Sequence, residues 1–322
     1  MNKVTVTLIA IIFTFCPLLT AKGANWTLSS DVGSARIMGI GAADSTHVRA
    51  VGNSGEIFLY DGSSWSFETD LGGEHRGTFA LDSTHFWAVG NLSPNGARTC
   101  FYNGSSWSEN TFNTLFAYDV YAADATHVWT VCDSGNIYFS SNGVNWALQT
   151  DTGGTYWRAV DGTASDNVWA VGNRQVISYD GSAWQIETEF TATEVDDFHG
   201  VAVVGTNDVW VTGSTTGVVW HYDGNWNRST DLGYTQNYGP ITTQGANQIW
   251  TGGDYGADNI YFFNGSLPWT VQYDAGFEPI ISLDASISQE VWGGGNTAVY
   301  GISLFLHLLP VLYLLPARHQ TM

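Results

Sequence analysis

Apolar and polar residues alternate along this chain in short runs, and each run ends at glycine, aspartate or asparagine. The stretch 121–150 shows the pattern. The residues that lead into A-D-A-T-H form the first run, and the next three runs are V-W-T-V, N-I-Y-F-S and N-W-A-L-Q; D-S-G separates the second from the third and N-G the third from the fourth. Short runs that are rich in valine, isoleucine and aromatic residues and separated by turn residues are typical of β-strands. Each such stretch therefore predicts four short antiparallel strands.

The same pattern recurs with a period of about 40 residues, and 13 of the 15 tryptophans mark it in two series. The first series lies in the second run of each repeat, where Arg49 replaces the tryptophan of one copy: Trp87, Trp129, Trp169, Trp210, Trp250 and Trp292. The second series begins the fourth run: Trp26, Trp65, Trp107, Trp146, Trp184, Trp226 and Trp269. Four-stranded units repeated at this period are the signature of a β-propeller.

The two series also give the number of blades. The second-run phrase occurs seven times if Arg49 is included, but the copy at Trp292 is not followed by a fourth run. The phrase N-W-T-L at 25–28 is a fourth run without a repeat before it. We therefore predict an all-β, seven-bladed propeller of four-stranded antiparallel blades, closed by the strand near Trp26 joining the blade that begins near Ile280. Such closure removes exposed sheet edges.

A D-G or N-G pair stands between the third and fourth runs of six repeats: Asp61-Gly62, Asn103-Gly104, Asn142-Gly143, Asp180-Gly181, Asp223-Gly224 and Asn264-Gly265. These pairs tolerate the positive φ angles that a two-residue type I′ hairpin demands. We therefore predict a type I′ hairpin at each of these positions.

The two ends of the chain depart from the repeat. Residues 1–23 have a basic residue near their start, Lys3, then an apolar run from Val4 to Leu19 and small residues at Ala21 and Gly23. This order is typical of a cleaved signal peptide. An uncleaved anchor is the alternative. We expect residues 24–300 to form the propeller and the protein to be secreted or otherwise extracytoplasmic.

Residues 301–322 form an apolar tail for which three interpretations stay open. The tail is a membrane anchor or sorting segment, or the end of the last blade strand (to about Phe305) followed by an irregular extension, or the product of a frameshift. The segment 299–317 is barely long enough to cross a bilayer, and His307 and Pro310 weaken it as a span. Any membrane contact is expected through this tail alone.

The chain has 30 acidic residues against ten lysines and arginines, a formal net charge of −20. Such a surface repels phosphate backbones, which excludes nucleic acid as a partner. We expect a monomer without a cofactor. Cys100 and Cys132 are either one disulfide or two buried thiols, and no zinc-site spacing is present.

An acid follows the second tryptophan series by five residues in six repeats, with Phe112 in the remaining place: Asp31, Asp70, Asp151, Glu189, Asp231 and Asp274. These acids form either a ring that attracts Ca²⁺ or a cationic partner, or a set of Asx turns ahead of glycine. Three D-x-x-H phrases, at Asp44, Asp82 and Asp124, are interpreted as turns because other repeats carry different polar residues there.

Alignment of the innermost strands places one residue of each repeat at the same level: Met38, Arg76, Tyr118, Arg158, His199, Gly239 and Ile281. A second level lies two residues earlier: Arg36, Glu74, Phe116, Tyr156, Asp197, Asn237 and Pro279. Both levels are expected at the mouth of the central channel, where polar and aromatic residues suit a ligand site. The predicted ligand-binding residues are Arg76, Tyr118, Tyr156, Trp157, Arg158, Asp197 and His199.

The phrase at 48–65, V-R-A-V-G through Y-D-G-S-S-W, resembles secreted bacterial propellers of the Asp-box class and the repeat of photosystem II assembly factors. The Asp-box itself is approached only at 140–146. This resemblance implies the propeller fold, which serves sialidases, lectins and assembly factors alike.

No catalytic constellation stands out, so we expect a non-catalytic propeller that binds a glycan, peptide or protein partner around the channel. A structural scaffold is the first alternative. A sialidase-like glycosidase is the second, and it requires Arg36, Arg76 and Arg158 to converge in one pocket, with tyrosine and acid residues beside them.

Overall fold

The computed structural model of the chain describes residues 27–31, 36–94, 96–112, 114–154, 156–192, 195, 197–213, 217–232, 239–253, 259–274, 279–285, 290–296 and 298–303. These ranges contain 28 strands in seven four-stranded antiparallel sheets, and one 3-10 turn at Asp133–Gly135. The predicted all-β, seven-bladed propeller is confirmed.

Within each blade, consecutive strands run from the channel to the outer edge. Blade 1 is β2 (Ile37–Asp44), β3 (His47–Gly52), β4 (Glu56–Tyr60) and β5 (Trp65–Asp70). Blade 2 is β6 (Glu74–Asp82), β7 (His85–Asn91), β8 (Ala97–Tyr102) and β9 (Trp107–Phe112). Blade 3 is β10 (Ala117–Asp124), β11 (His127–Cys132), β12 (Asn136–Ser140) and β13 (Trp146–Asp151). Blade 4 is β14 (Ala159–Ala164), β15 (Asn167–Gly172), β16 (Gln175–Tyr179) and β17 (Trp184–Glu189).

Blade 5 is β18 (Phe198–Gly205), β19 (Asp208–Gly213), β20 (Val218–Tyr222) and β21 (Trp226–Asp231). Blade 6 is β22 (Ile241–Thr243), β23 (Ile249–Gly252), β24 (Asn259–Phe263) and β25 (Thr270–Asp274). Blade 7 is β26 (Ser282–Ala285), β27 (Glu290–Gly294), β28 (Ala298–Ser303) and, as its outermost strand, β1 (Thr27–Asp31). The order of the strands in this last sheet closes the ring.

The closure follows the sequence prediction. Leu28 of β1 pairs with Tyr300 of β28, and Thr27 pairs with Gly301. Trp26 itself lies outside the described residues, as do the predicted signal segment 1–23 and most of the predicted tail. β28 runs to Ser303, so residues 301–303 belong to the last blade. Among the residues that the structure describes, no helix is long and apolar enough to cross a membrane.

The two tryptophan series pack against each other between blades. Trp292 of blade 7 lies against Trp65 of blade 1, with ring centres 5.7 Å apart, and Trp210 of blade 5 meets Trp269 of blade 6 at the same distance. Such aromatic pairs bury large apolar areas and have defined geometries, which fixes each blade against the next. The sequence period is therefore the period of blade packing.

Arg49 takes the place of the first-series tryptophan at the junction of blades 1 and 2. Its guanidinium carbon lies 4.1 Å from the centre of the Tyr102 ring, and its side chain is 4% exposed. Nε and one terminal nitrogen donate to the two carboxylate oxygens of Glu68, at 2.8 and 3.0 Å. A paired cation thus fills the space that an indole fills in six other repeats.

The hairpin glycines have positive φ, such as 92° at Gly62 and 88° at Gly181, but the predicted type I′ turns were wrong. The preceding Asp or Asn is absent from the residues with positive φ. Instead, Asp61 Oδ1 accepts hydrogen bonds from the backbone N–H groups of Ser63 and Ser64, both at 2.9 Å. The acid or amide therefore folds a four-residue loop as an Asx turn.

The two described cysteines, Cys100 and Cys132, are buried free thiols, which decides between the two alternatives. Burial raises the pKa of both thiols, that of Cys100 to about 12. Neither thiol is suited to nucleophilic chemistry.

Candidate functional site

The seven innermost strands surround a channel, and a cavity of about 430 Å³ opens at the end where these strands begin. All seven residues that the alignment placed at the first level line this cavity: Met38, Arg76, Tyr118, Arg158, His199, Gly239 and Ile281. From the second level Asp197 lines the cavity, whereas the other described members do not, and Asn237 lies outside the described residues. The structure thus brings five of the seven predicted site residues together.

The cavity has two unlike walls. Blades 2 to 5 contribute the polar and aromatic side chains, including Arg76, Tyr118, Arg158 and His199. Blades 6, 7 and 1 contribute an apolar wall: Pro240, Ile241, Ile281, Leu283, Met38 and Ile40. A ligand that fills this space needs an anionic or polar group on one side and an apolar group on the other.

Two guanidinium groups flank one phenol ring on the polar wall. The guanidinium carbon of Arg158 lies 4.7 Å from the centre of the Tyr118 ring, and that of Arg76 lies 5.2 Å from it. The ring of Phe116 stacks on Arg76 at 4.7 Å and the ring of Tyr156 on Arg158 at 4.9 Å. Cation–π contacts of this kind hold both arginines in place. Burial also raises the pKa of Tyr118, so this phenol stays neutral at physiological pH.

An acid lies next to the inner nitrogen of each arginine, and the outer nitrogens are left available; of the two inner nitrogens, that of Arg158 makes a hydrogen bond to its acid and that of Arg76 does not. Nε of Arg158 donates to Asp197 Oδ2 at 3.1 Å, and Nε of Arg76 lies 2.9 Å from Glu74 Oε1. Within the described residues, the terminal nitrogens of these two arginines make no hydrogen bond. Burial lowers the pKa of His199 to about 4, although Asp197 opposes the shift, so His199 is neutral at neutral pH.

Tyr156 and Trp157 do not line the cavity. Tyr156 is 42% exposed at the rim, above Arg158. Trp157 is fully buried among Trp129, Ile137 and other core residues, so its prediction as a ligand contact was wrong. The segment 156–158 lies so close to Gly172 that a Cβ there would be 2.1 Å from the Tyr156 carbonyl oxygen. The indole of Trp157 lies inside the core, where Nε1 donates to Thr152 Oγ1 at 3.2 Å.

Three aspartates deeper in the channel escaped the sequence analysis. Asp119, Asp161 and Asp284 line a second cavity of about 280 Å³ below the mouth. Each accepts a backbone N–H from the next blade: Val160 N to Asp119 at 3.0 Å, Val203 N to Asp161 at 2.7 Å, and Ala42 N to Asp284 at 2.7 Å. Burial raises the pKa of these carboxyls to about 7, 7 and 6. Their sequence signal is an acid inside an otherwise apolar inner strand.

Two acids of the predicted series form Asx turns. Asp70 Oδ1 accepts the N–H of Gly72 at 2.7 Å, and Asp151 Oδ1 accepts that of Gly153 at 2.8 Å. The D-x-x-H phrases are also turns: Asp44 Oδ1 accepts the Thr46 N–H at 2.7 Å and lies 2.9 Å from His47 Nδ1. Among the described residues, no three His, Cys, Asp or Glu side chains are grouped as metal ligands.

The three arginines that a sialidase-like site requires do not meet. Arg76 and Arg158 flank Tyr118, whereas Arg36 is not among the residues lining the cavity. The described part of the mouth therefore offers two guanidinium groups, each next to an acid, where that chemistry needs a cluster of three.

Comparison with known proteins gives the fold and leaves function open. No family model matches the chain, and no curated protein matches it in sequence. Among solved structures, "YCF48 bound to D1 peptide" is similar with a TM-score of 0.68 and 15% identity, over 87% of this chain and 97% of that one.

Two further structures are similar over comparable lengths. The WD40 propeller domain of Doa1 has a TM-score of 0.68 and 13% identity, covering 88% of this chain and 98% of its own. Streptogramin B lyase has a TM-score of 0.71 and 10% identity, covering 87% and 98%. At such identities the likeness concerns the fold alone: this chain shares the β-propeller architecture with a peptide-bound protein, a WD40 domain and a lyase.

Proposed function

We propose that this protein is a non-catalytic, extracytoplasmic propeller that binds an acidic, extended peptide segment of a protein partner at the channel mouth. The observation that carries the proposal is the stack of Arg76, Tyr118 and Arg158, whose terminal guanidinium nitrogens face no acceptor within the described residues. The extracytoplasmic location rests on the signal-like segment 1–23.

The chemistry of the mouth favours carboxylates. A guanidinium group presents planar, paired donors that match a carboxylate in a bidentate arrangement. Two such groups are concentrated at one cavity in a chain whose net charge is −20. Glu74 and Asp197 lie next to the inner nitrogens and lower the net charge of the mouth, so binding depends on directed hydrogen bonds as well as on charge.

The apolar features around the mouth favour a peptide over a simple anion. The wall that includes Ile241, Ile281 and Leu283 can receive an apolar side chain of the ligand. Leu115 and Tyr156 are 66% and 42% exposed on the loops that lead into β10 and β14. A peptide with acidic and apolar residues in alternation satisfies both walls, and the peptide complex of YCF48 supports this use of the fold.

Replacing Arg158 with glutamine is expected to weaken binding of an eight-residue peptide of alternating glutamate and leucine about tenfold or more. Charge-assisted hydrogen bonds contribute about 1.5–3 kcal/mol, and about 1.4 kcal/mol is tenfold in affinity. Arg76→Gln is expected to act similarly. Isothermal titration calorimetry measures the effect.

The matched controls change charge without changing the mouth. Arg228→Gln removes an exposed arginine on the outer strand β21 and should leave the affinity unchanged. A peptide with glutamine in place of glutamate should bind the wild-type protein weakly. Equal affinity of Arg158→Gln and wild type for the glutamate peptide contradicts the proposal, and selective glycan binding that Tyr118→Ala abolishes favours a lectin.

A further inference from the structure

Arg174 occupies a position that other blades give to glycine. The residue directly before the third strand is a glycine with positive φ in blades 1, 2, 3 and 5: Gly55, Gly96, Gly135 and Gly217. In blade 4 this residue is Arg174, with φ of 64°, and Asn173 before it has φ of 42°. A left-handed backbone is unfavourable for an arginine because its Cβ crowds the following carbonyl oxygen.

The backbone at this position has the same role in blades 1, 3, 4 and 5, whereas the Gly96 carbonyl of blade 2 accepts the N–H of Leu92. The carbonyl oxygens of Gly55, Gly135 and Gly217 accept the N–H of the residue that follows the outer strand, at 3.0, 3.0 and 3.1 Å. The Arg174 carbonyl accepts the N–H of Phe190 in the same way, at 2.8 Å. Glycine therefore meets the demands of the fold here, and the arginine side chain adds strain without adding to this contact.

The side chain of Arg174 makes no hydrogen bond, ion pair or ring contact with any residue that the structure describes. Arg49, Arg76, Arg98 and Arg158 each pair with an acid. In a chain with three times as many acids as bases, a strained arginine that has no partner among the described residues has no structural explanation. Strained residues of this kind are concentrated at functional sites.

Arg174 lies at the same end of blade 4 as the channel mouth. Val171, just before this turn, pairs with Ala159 and accepts the N–H of Arg158 at 2.7 Å. Asn173 N donates to the Asp197 carboxylate, whose other oxygen binds Arg158. Neighbouring strands are about 4.8 Å apart, which places the turn about 5 to 10 Å outward from β14. Carboxylates two residues apart on an extended peptide are separated by about 7 Å, which matches this distance.

We infer that Arg174 is a second contact for the bound segment, which carries acids in a Glu-x-Glu spacing and runs from the channel mouth outward over blade 4. One glutamate pairs with Arg158 at the mouth and the next pairs with Arg174. This inference rests on the proposed function, and it names the direction and charge spacing of the partner. The strained arginine is kept for binding where glycine would give a more stable fold.

Arg174→Gly tests the inference because it is expected to change stability and binding in opposite directions. Relief of the left-handed arginine should raise Tm by a few degrees, as measured by calorimetry. Affinity for the alternating glutamate–leucine peptide should fall about tenfold. Affinity for a matched peptide with a single glutamate should stay unchanged, because that peptide reaches only Arg158. A purely structural arginine would give the rise in Tm alone.

Two further variants separate charge from backbone conformation. Arg174→Asn keeps a residue that tolerates positive φ but removes the charge, so it should lose affinity as Arg174→Gly does. Arg174→Lys keeps the charge and should retain most of the affinity. Wild-type affinity in Arg174→Gly, with Arg158→Gln still defective, overturns this inference alone. Absence of binding to the wild-type protein overturns the proposed function and this inference with it.

Discussion

Replacing Arg49 with alanine is expected to destabilise the protein by about 3 to 5 kcal/mol, the usual cost of breaking a buried ion pair from one side. The guanidinium is 4% exposed, stacks on Tyr102 at 4.1 Å and binds both oxygens of Glu68. Its loss leaves the Glu68 carboxylate without a partner and opens a cavity at the junction of blades 1 and 2. Urea unfolding followed by tryptophan fluorescence measures the change.

The control for Arg49 comes from the other repeats. In blades 3 and 6 the residue aligned with Glu68 is a glutamine, and its Oε1 accepts the indole N–H of Trp129 or Trp250, both at 3.0 Å. The double variant Arg49→Trp with Glu68→Gln restores this arrangement and should come within about 1 kcal/mol of wild type. A loss below about 1 kcal/mol in Arg49→Ala would show that the pair is unimportant.

Asp161→Asn is expected to stabilise the protein above pH 7 and to have little effect below pH 4. Burial raises the pKa of this carboxyl from its ordinary 3.8 to about 7, so the folded state binds a proton more tightly than the unfolded state. Stability that depends on this proton is present below pH 4 and is lost as pH rises to about 7. An amide stays neutral and can still accept the N–H of Val203.

The size of the effect is on the order of 1 to 2 kcal/mol, because Asp161 is only half-buried and lines a cavity, so solvent screening reduces the cost of charging it. Tm of both proteins between pH 3 and 9 gives the difference profile. The variant has to be compared with wild type at each pH because His75 also makes stability depend on pH. Burial lowers the pKa of His75 to about 3, so its contribution to stability falls as pH drops below about 6.5.

Asp180→Asn is the matched control for this profile. Hydrogen bonds from Ser182 and Ala183 lower the pKa of Asp180 to about 2. This variant should therefore be less stable than wild type at pH 5 and above. The stability difference between the two proteins should vary with pH only below pH 5, so it has no slope between pH 5 and 7. If the Tm difference between Asp161→Asn and wild type does not change between pH 5 and 7, the pKa of the Asp161 carboxyl is not raised in the folded protein.

The fold could be predicted because the sequence repeats its packing. Trp87 and the other tryptophans of the first series recur where blades meet. Arg49 does not interrupt this repeat, because its side chain fills the space among aromatic rings that a tryptophan fills in the other blades. The turn type could not be predicted from D-G and N-G pairs alone. Asp61 bonds to two backbone N–H groups beyond it, and a longer loop thereby competes with the two-residue hairpin.

The site was predicted in part, and the errors have physical causes. Counting back from the turns placed Arg76, Tyr118 and Arg158 at one level, and the cavity lining confirmed that level. Trp157 is adjacent to Arg158 in the chain, but its side chain is fully buried in the core and does not face the cavity. Arg174 was missed because what distinguishes it is a positive φ angle, and a backbone angle is not visible in the sequence. The only trace of it there is an arginine at a position where other blades have glycine.

The pairing of Leu28 with Tyr300 also determines when the protein can finish folding. A ribosome delivers β1 before any of the 27 strands that follow it, yet the sheet that receives β1 is delivered last. The other blades form from neighbouring segments, whereas this pairing closes almost the whole length of the chain and carries the largest loop-closure entropy. Until the last strand arrives, the growing chain exposes an unpaired strand at its beginning and an open blade edge at its end. During this interval the two open edges are most exposed to pairing with other chains.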